Sequence, residues 1–184
     1  MRRQQLVYIF SCLVFGAIGF SIVMAFDSKN WLSNGKNNSN ILEAFYFQSE
    51  VFEKRTLRSG WSRPQWWGTR SAGPKSILAT DLYQPSRGDL ELEFIIKPFF
   101  ADGHQSQPVE LSVNGTKMET WMLLPSKDWG TQRVRIPKNI WEAKRPAEVS
   151  FVYSEPRSPA ELGIRKDSRR LAIGLKTLTI RDLI

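Results

Sequence analysis

Residues Leu6 to Phe26, LVYIFSCLVFGAIGFSIVMAF, carry no charge over 21 positions. At about 1.5 Å per helical residue the run spans roughly 31 Å, the thickness of a bilayer's hydrocarbon core. Twelve of its residues are Leu, Ile, Val or Phe, worth about −5 kcal/mol towards membrane insertion before Gly and Ser are discounted. Backbone in hydrocarbon must satisfy its own hydrogen bonds, so such a run is expected to be a helix. The 26 residues up to Phe26 are thus withdrawn from any soluble core.

Arg2 and Arg3 precede the run, whereas Asp27 and Lys29 behind it nearly cancel. The positive-inside rule then keeps the N-terminus in the cytoplasm and sends the remainder across. A cleaved signal peptide is the competing reading, with Val23-Met24-Ala25 as a serviceable cleavage site. The run exceeds the usual 7–15 residues of a signal core, which favours a retained anchor. Both readings export the rest of the chain. The expected location is the bacterial inner membrane, single-pass, with the C-terminal part periplasmic. The sole cysteine, Cys12, lies inside the apolar run, so the exported part has neither disulfide nor thiolate metal site.

The chain carries 26 bases and 18 acids, a net charge of +8. Such an excess suits a nucleic-acid binder, but export removes that partner. Without the two bases of residues 1–26, a stretch with no acids, the excess is still +6. Anionic lipids and acidic glycans of an envelope give that charge a counterpart.

Residues 27–40, DSKNWLSNGKNNSN, are Asn- and Ser-rich without periodicity and read as a linker. Residues 41–54 fit a short helix or a first strand equally well. Farther on the chain alternates. Leu90, Leu92, Phe94 and Ile96 share one face, and Glu91, Glu93 and Lys97 the other. Val109, Leu111 and Val113 lead into Asn114-Gly115, a strong hairpin signal because both residues tolerate positive φ. Val134 and Ile136 point inward and Arg133 and Arg135 outward, and Val149, Phe151 and Tyr153 repeat the pattern. In the last run the apolar phase slips between Leu175 and Leu178, which predicts a bulge or bend near Gly174. Short alternating strands with no long soluble helix predict an all-β, antiparallel, jelly-roll-like β-sandwich behind one transmembrane helix. The expected divisions are 1–5 cytoplasmic, 6–26 anchor, 27–57 linker with room for a first element, and 58–184 exported sandwich.

Catalytic signals are few. His104 is the only histidine and falls in a loop, short of a zinc set or a hydrolytic triad. No phosphate loop occurs, and no pair of acids stands in a telling context. Asp102, Asp128 and Asp167 could assist a calcium ion, but no Asp-x-Asp ladder supports it. The sequence predicts no enzyme, no cofactor and no metal.

Two stretches stand out. GWSRPQWWGTRSAGP, from Gly60 to Pro74, concentrates three of seven tryptophans. In an extended segment Trp66 and Trp67 would face opposite ways, so one could enter the core and the other not easily. Indole faces stack on sugar C–H faces, and Trp61, Trp66 or Trp67 with Arg63 and Arg70 would form such a glycan site. Between Ser158 and Leu175, Arg165, Lys166, Arg169 and Arg170 surround Asp167. That loop is either a solvated surface whose Asp caps or pairs locally, or a site for an anionic group, phosphate or uronate, for which forked guanidinium is apt.

Together the two stretches resemble a family. Gly60-Trp61-Ser62, Trp67-Gly68 and Ser71-x-Gly73 form its early half. Ser158-Pro159-x-Glu161-Leu162-Gly163, Asp167 with Arg169 or Arg170, and Ile173-Gly174-Leu175 form the late, more specific half. These are similar to a poorly characterised β-sandwich domain at the exported end of bacterial membrane sugar transferases and phosphoglycerol transferases. The final Ile-Gly-Leu-x-x-Leu-x-Ile pattern also resembles the last strand of carbohydrate-binding jelly rolls. Where a second aromatic is expected shortly after Trp-Gly stands Arg70, and the extra aromatic, Trp66, comes earlier. The resemblance, over residues 58–180, covers the accessory domain and not the multi-span catalytic part. It implies glycan binding or presentation, or docking on a transferase, in surface polysaccharide synthesis or modification. A protein-interaction subunit of an envelope assembly complex is the alternative, and a glycan-modifying enzyme a more distant one.

Overall fold

The computed structural model describes residues 40–48, 56–100 and 106–183, all within one unit, Asn37–Ile184. The expected anchor, the linker, Trp31, Asp102 and His104 lie outside the described residues. Among the described residues no helix is long and apolar enough to cross a membrane.

Nine strands are present among the described residues: β1 (Ile41–Tyr46), β2 (Thr69–Arg70), β3 (Lys75–Thr80), β4 (Asp89–Pro98), β5 (Gln107–Val113), β6 (Thr116–Leu123), β7 (Gly130–Ile136), β8 (Ala147–Tyr153) and β9 (Ile173–Leu183). One sheet runs β1-β9-β4-β7, with β2 also paired to β9. The other runs β3-β8-β5-β6. All pairings are antiparallel. If β1 and β2 share one position along β9, the interleaved order is that of a jelly roll. Ile41–Tyr46 is therefore strand, not helix, and the sandwich starts ahead of residue 58.

The alternation read from the sequence sorts the faces. Leu90, Leu92, Phe94 and Ile96 on β4 and Val109, Leu111 and Val113 on β5 are fully buried. Phe94 meets Phe151 of the opposite sheet edge-on, ring centroids 5.5 Å apart, and Trp121 and Trp61 extend the aromatic core. On the outer face of the first sheet Arg133 and Arg181 pair with Glu91 and Glu93, and Arg135 pairs with Asp89. Asn114 and Gly115 take φ of 50° and 83° between β5 and β6, as the hairpin requires. The Asn114 amide also donates to the carbonyls of Ile140 and Trp141, holding helix α1 (Lys138–Glu142), which the strand pattern did not reveal.

The predicted phase slip in β9 is a bulge. Ile95 pairs with Thr177 and Ile96 with Leu175, so Lys176 is the extra residue. Leu178 and Ile180 beyond it, and Leu175 and Ile173 before it, all stay buried. Gly174, between those last two, faces outward.

Candidate functional site

The site lies on that outer face, around Gly174. In the register of the sheet Arg70 on β2 and Lys97 on β4 both stand opposite Gly174. A glycine thus separates two bases in one row. A Cβ at Gly174 would lie 3.3 Å from Trp129 Cη2 and 3.4 Å from Trp67 Cζ3. Its absence lets both indoles settle onto the strand. The two rings lean together with centroids 5.8 Å apart and an interplanar angle of 41°.

Trp67 reaches this place because its segment is not extended, contrary to the sequence reading. Gln65 and Gly68 exchange both backbone hydrogen bonds, at 2.8 and 2.9 Å, so Trp66 and Trp67 form the tip of a tight hairpin. Gly68 has φ of 137°, and a Cβ there would lie 2.3 Å from the Leu175 carbonyl oxygen. Only glycine lets the hairpin lie this close to β9. Trp66 is 85% exposed at the tip. The Trp67 indole N–H donates to Gln65 Oε1 at 2.8 Å.

Beyond the turn, Ser71 secures the returning leg. Its buried Oγ accepts the backbone N–H groups of Ala172 and Ile173 at 2.8 and 3.0 Å. The resulting cavity has a volume of about 370 Å³. Trp66, Trp67, Phe99 and Trp129 give it aromatic walls, and Arg70 and Lys97 are its bases. Pro98, Leu171, Ile173 and Gly174 complete the lining. That volume falls in the range of small-molecule sites, roughly 300–1,000 Å³. The Arg70 guanidinium lies 5.0 Å from the Trp67 ring centroid, and Lys176 Nζ lies 5.9 Å from that of Trp129.

The basic loop comes close to the hairpin, and part of its charge is engaged within the loop. Asp167 accepts from Arg169 at both oxygens, 2.9 and 2.7 Å, and from Arg165 at 3.1 Å. The Arg169 hydrogen bonds hold the Asp167 carboxyl well below the usual carboxylate range. With both oxygens so engaged, Asp167 is not available as a calcium ligand. Arg165 and Arg169 thus serve the loop's own shape, and Arg169 Nη1 ties the loop to the hairpin through Ser62 Oγ at 2.9 Å. Lys166 and Arg170 are exposed and do not line the cavity. The motif ahead of this loop is also architectural. Ser158 and Glu161 bond reciprocally, at 3.0 and 3.1 Å, as a capping box.

Of the residues singled out by sequence, Trp66, Trp67 and Arg70 line the cavity. Trp61 does not: its ring packs on Phe151 and its indole N–H donates to the Ile77 carbonyl at 2.9 Å, so it belongs to the core. Arg63 is exposed and outside the lining. Sequence reasoning missed Lys97, Phe99 and Trp129. One signal was present: Trp-Gly occurs twice, as Trp67-Gly68 and Trp129-Gly130, each directly before or at the start of a strand, and both supply a pocket indole.

No family model matches the chain, and no curated protein matches it either. Among solved structures it is similar to a family GH115 4-O-methyl-α-glucuronidase with specificity for decorated arabinogalactans, at 6% identity and a TM-score of 0.51. The likeness covers 78% of this chain and 18% of that one, so it concerns a part of that enzyme and shows the fold alone. A CBM22-1 xylan-binding domain from Paenibacillus barcinonensis matches at 14% identity and a TM-score of 0.49, over 77% of this chain and 94% of that one. Fold and site together define a jelly-roll β-sandwich with an aromatic, base-lined pocket on one sheet.

Proposed function

We propose that this chain is a membrane-anchored, non-catalytic envelope protein whose exported sandwich binds a glycan in the pocket between the Trp66-Trp67 hairpin and Trp129. One observation carries the reading: three indoles and a phenylalanine line a cavity of about 370 Å³ beside two bases. Aromatic faces supply flat apolar surface for sugar C–H groups, and the bases supply donors for hydroxyls. Among the described lining residues there is no carboxylate, histidine or hydroxyl nucleophile, which supports binding over chemistry. The uncharged run Leu6–Phe26 supports the anchor and a periplasmic placement. The resemblance to accessory domains of sugar and phosphoglycerol transferases supports a place in surface polysaccharide synthesis or modification, presenting a glycan or docking on a transferase.

A second reading, a docking subunit for another envelope protein, has its own observation. Met122 on the edge strand β6 and Leu124 just beyond it are 58% and 68% exposed. That surface lies on the other sheet from the pocket, so the two readings separate experimentally.

The test is a titration of the full chain in mild detergent with neutral and acidic polysaccharides, followed by tryptophan fluorescence. Glycan binding predicts a saturable change that Trp67→Ala and Trp129→Ala abolish while far-ultraviolet circular dichroism is kept. Met122→Ser should leave the change in place. A response that survives both tryptophan replacements, or no response to any glycan, would refute the pocket as a sugar site.

A further inference from the structure

We propose that the pocket selects acidic sugars, with Arg70 and Lys97 receiving the carboxylate of a uronate whose ring rests against Trp67 and Trp129. This rests on the glycan-binding reading and adds the chemical class of the ligand.

The geometry begins with the row Arg70, Gly174, Lys97 on neighbouring strands. Adjacent strands lie about 4.8 Å apart, so the two bases start about 10 Å from each other with no side chain between them. Two flexible cationic side chains on either side of a gap can converge on one anion. The lining contains these two bases and, among the described residues, no acid.

Arg70 is also short of negative charge. Burial lowers its pKa, and the nearby Arg165 and Arg169 lower it further. Asp167 opposes that, but its oxygens are already bound by Arg165 and Arg169. Three guanidinium groups therefore share one carboxylate. The Arg70 guanidinium lies 5.0 Å from the Trp67 ring centroid, and its five N–H donors suit a carboxylate. Lys97 Nζ donates to the Lys127 carbonyl, which leaves further donors of its ammonium for a ligand.

A neutral sugar would cover these cations without compensating them, and burying an unpaired charge is costly. A uronate would compensate them and gain charge-assisted hydrogen bonds. The aromatic walls argue that the anion arrives on a sugar ring and not as a small free ion.

The experiment compares oligogalacturonate, alginate and hyaluronan oligosaccharides with their carboxyl methyl esters. Each is titrated into the full-length chain in detergent at fixed ionic strength, by calorimetry. The esters keep the ring and remove the charge. At least one acid is expected to bind about tenfold to a hundredfold tighter than its own ester. Arg70→Gln should bring that ratio down towards one, and Lys97→Gln provides an independent second variant with the same expected direction. Sodium sulfate at the sugar's concentration should not displace the acid. If every ester binds as well as its acid, or the ratio survives both variants, the acidic selectivity is wrong while glycan binding stands. If sulfate displaces the acid fully, the site recognises a bare oxyanion and the proposal fails. If neither acids, esters nor neutral glycans bind, the glycan reading itself fails.

Discussion

Two buried serines near the site offer an internally controlled measurement. Ser71 and Ser76 are both fully buried, and by burial alone Ser→Ala should cost the same at each. Their hydrogen bonds differ. Ser71 Oγ is the acceptor for the Ala172 and Ile173 N–H groups, and both residues are buried. Alanine at 71 leaves two buried donors without a partner, each costing about 1–3 kcal/mol. Allowing for relaxation, Ser71→Ala should lose roughly 2–4 kcal/mol, a large share of a typical 5–15 kcal/mol. Ser76 Oγ instead donates to the Gly60 carbonyl at 2.5 Å, and that carbonyl also accepts the Ala72 N–H at 2.7 Å. Ser76→Ala therefore orphans nothing and should cost about 1 kcal/mol. The buried Tyr153 hydroxyl lies near both serines and is a background common to both variants. Urea unfolding of the full chain in detergent measures both. With a slope of about 2 kcal/mol per molar, the Ser71→Ala midpoint should fall by roughly 1–2 M and the Ser76→Ala midpoint by about 0.5 M. Equal losses, or a larger loss at Ser76, would refute the reasoning. Because Ser71 joins the β2 leg to the start of β9, the damaging variant should also blunt sugar binding.

The same geometry sets other expectations. Gly174→Val places branched carbons where Trp67 and Trp129 now lie against the strand, so sugar affinity should drop at least about tenfold, by calorimetry, while the fold is kept; unchanged affinity would detach the indoles from the site. Hydrogen bonds from Arg169 depress the Asp167 carboxyl, so its stabilisation is complete above the ordinary carboxylate pKa of about 3.9 and fades as pH falls below it. Thermal unfolding of wild type and Asp167→Asn should thus differ at pH 7, with a gap that begins to narrow as pH falls below about 4, whereas a gap that widens in acid contradicts the clamp. If Leu6–Phe26 is an anchor, alkaline carbonate should leave the chain in the membrane pellet, and its release would rule the anchor out.

Period-two alternation made the sandwich legible, because each strand buries one face and wets the other. That pattern carried β4, β5, β7 and β8, and the broken phase at Leu175–Leu178 pointed to a bulge or bend near Gly174, which the structure places at Lys176. It could not reveal α1, whose five residues are too few for helical periodicity. Nor could it decide Ile41–Tyr46, where pairing with β9 makes the strand. The site was half legible. Aromatic clustering pointed to Trp66, Trp67 and Arg70, but the same density led to Trp61, which the core claims. Lys97 and Trp129 were missed because they join Trp67 only through the register of β2, β9, β4 and β7, strands distant in sequence. For the basic loop the sequence left two readings open, local pairing of the Asp and an anion site, and the structure places Asp167 between Arg165 and Arg169.

The central claim is that a sugar meets the indoles of the hairpin tip and of Trp129. Selective ¹⁵N labelling of tryptophan in the full chain gives each indole N–H its own nuclear magnetic resonance signal. On titration with an acidic oligosaccharide, the Trp66, Trp67 and Trp129 signals should move together along one saturation curve. Those of Trp141, buried in the core, and Trp61, packed against it, should stay in place. Shifts confined to Trp61 and Trp141, or no shift at Trp67 and Trp129 at saturating sugar, would contradict the account.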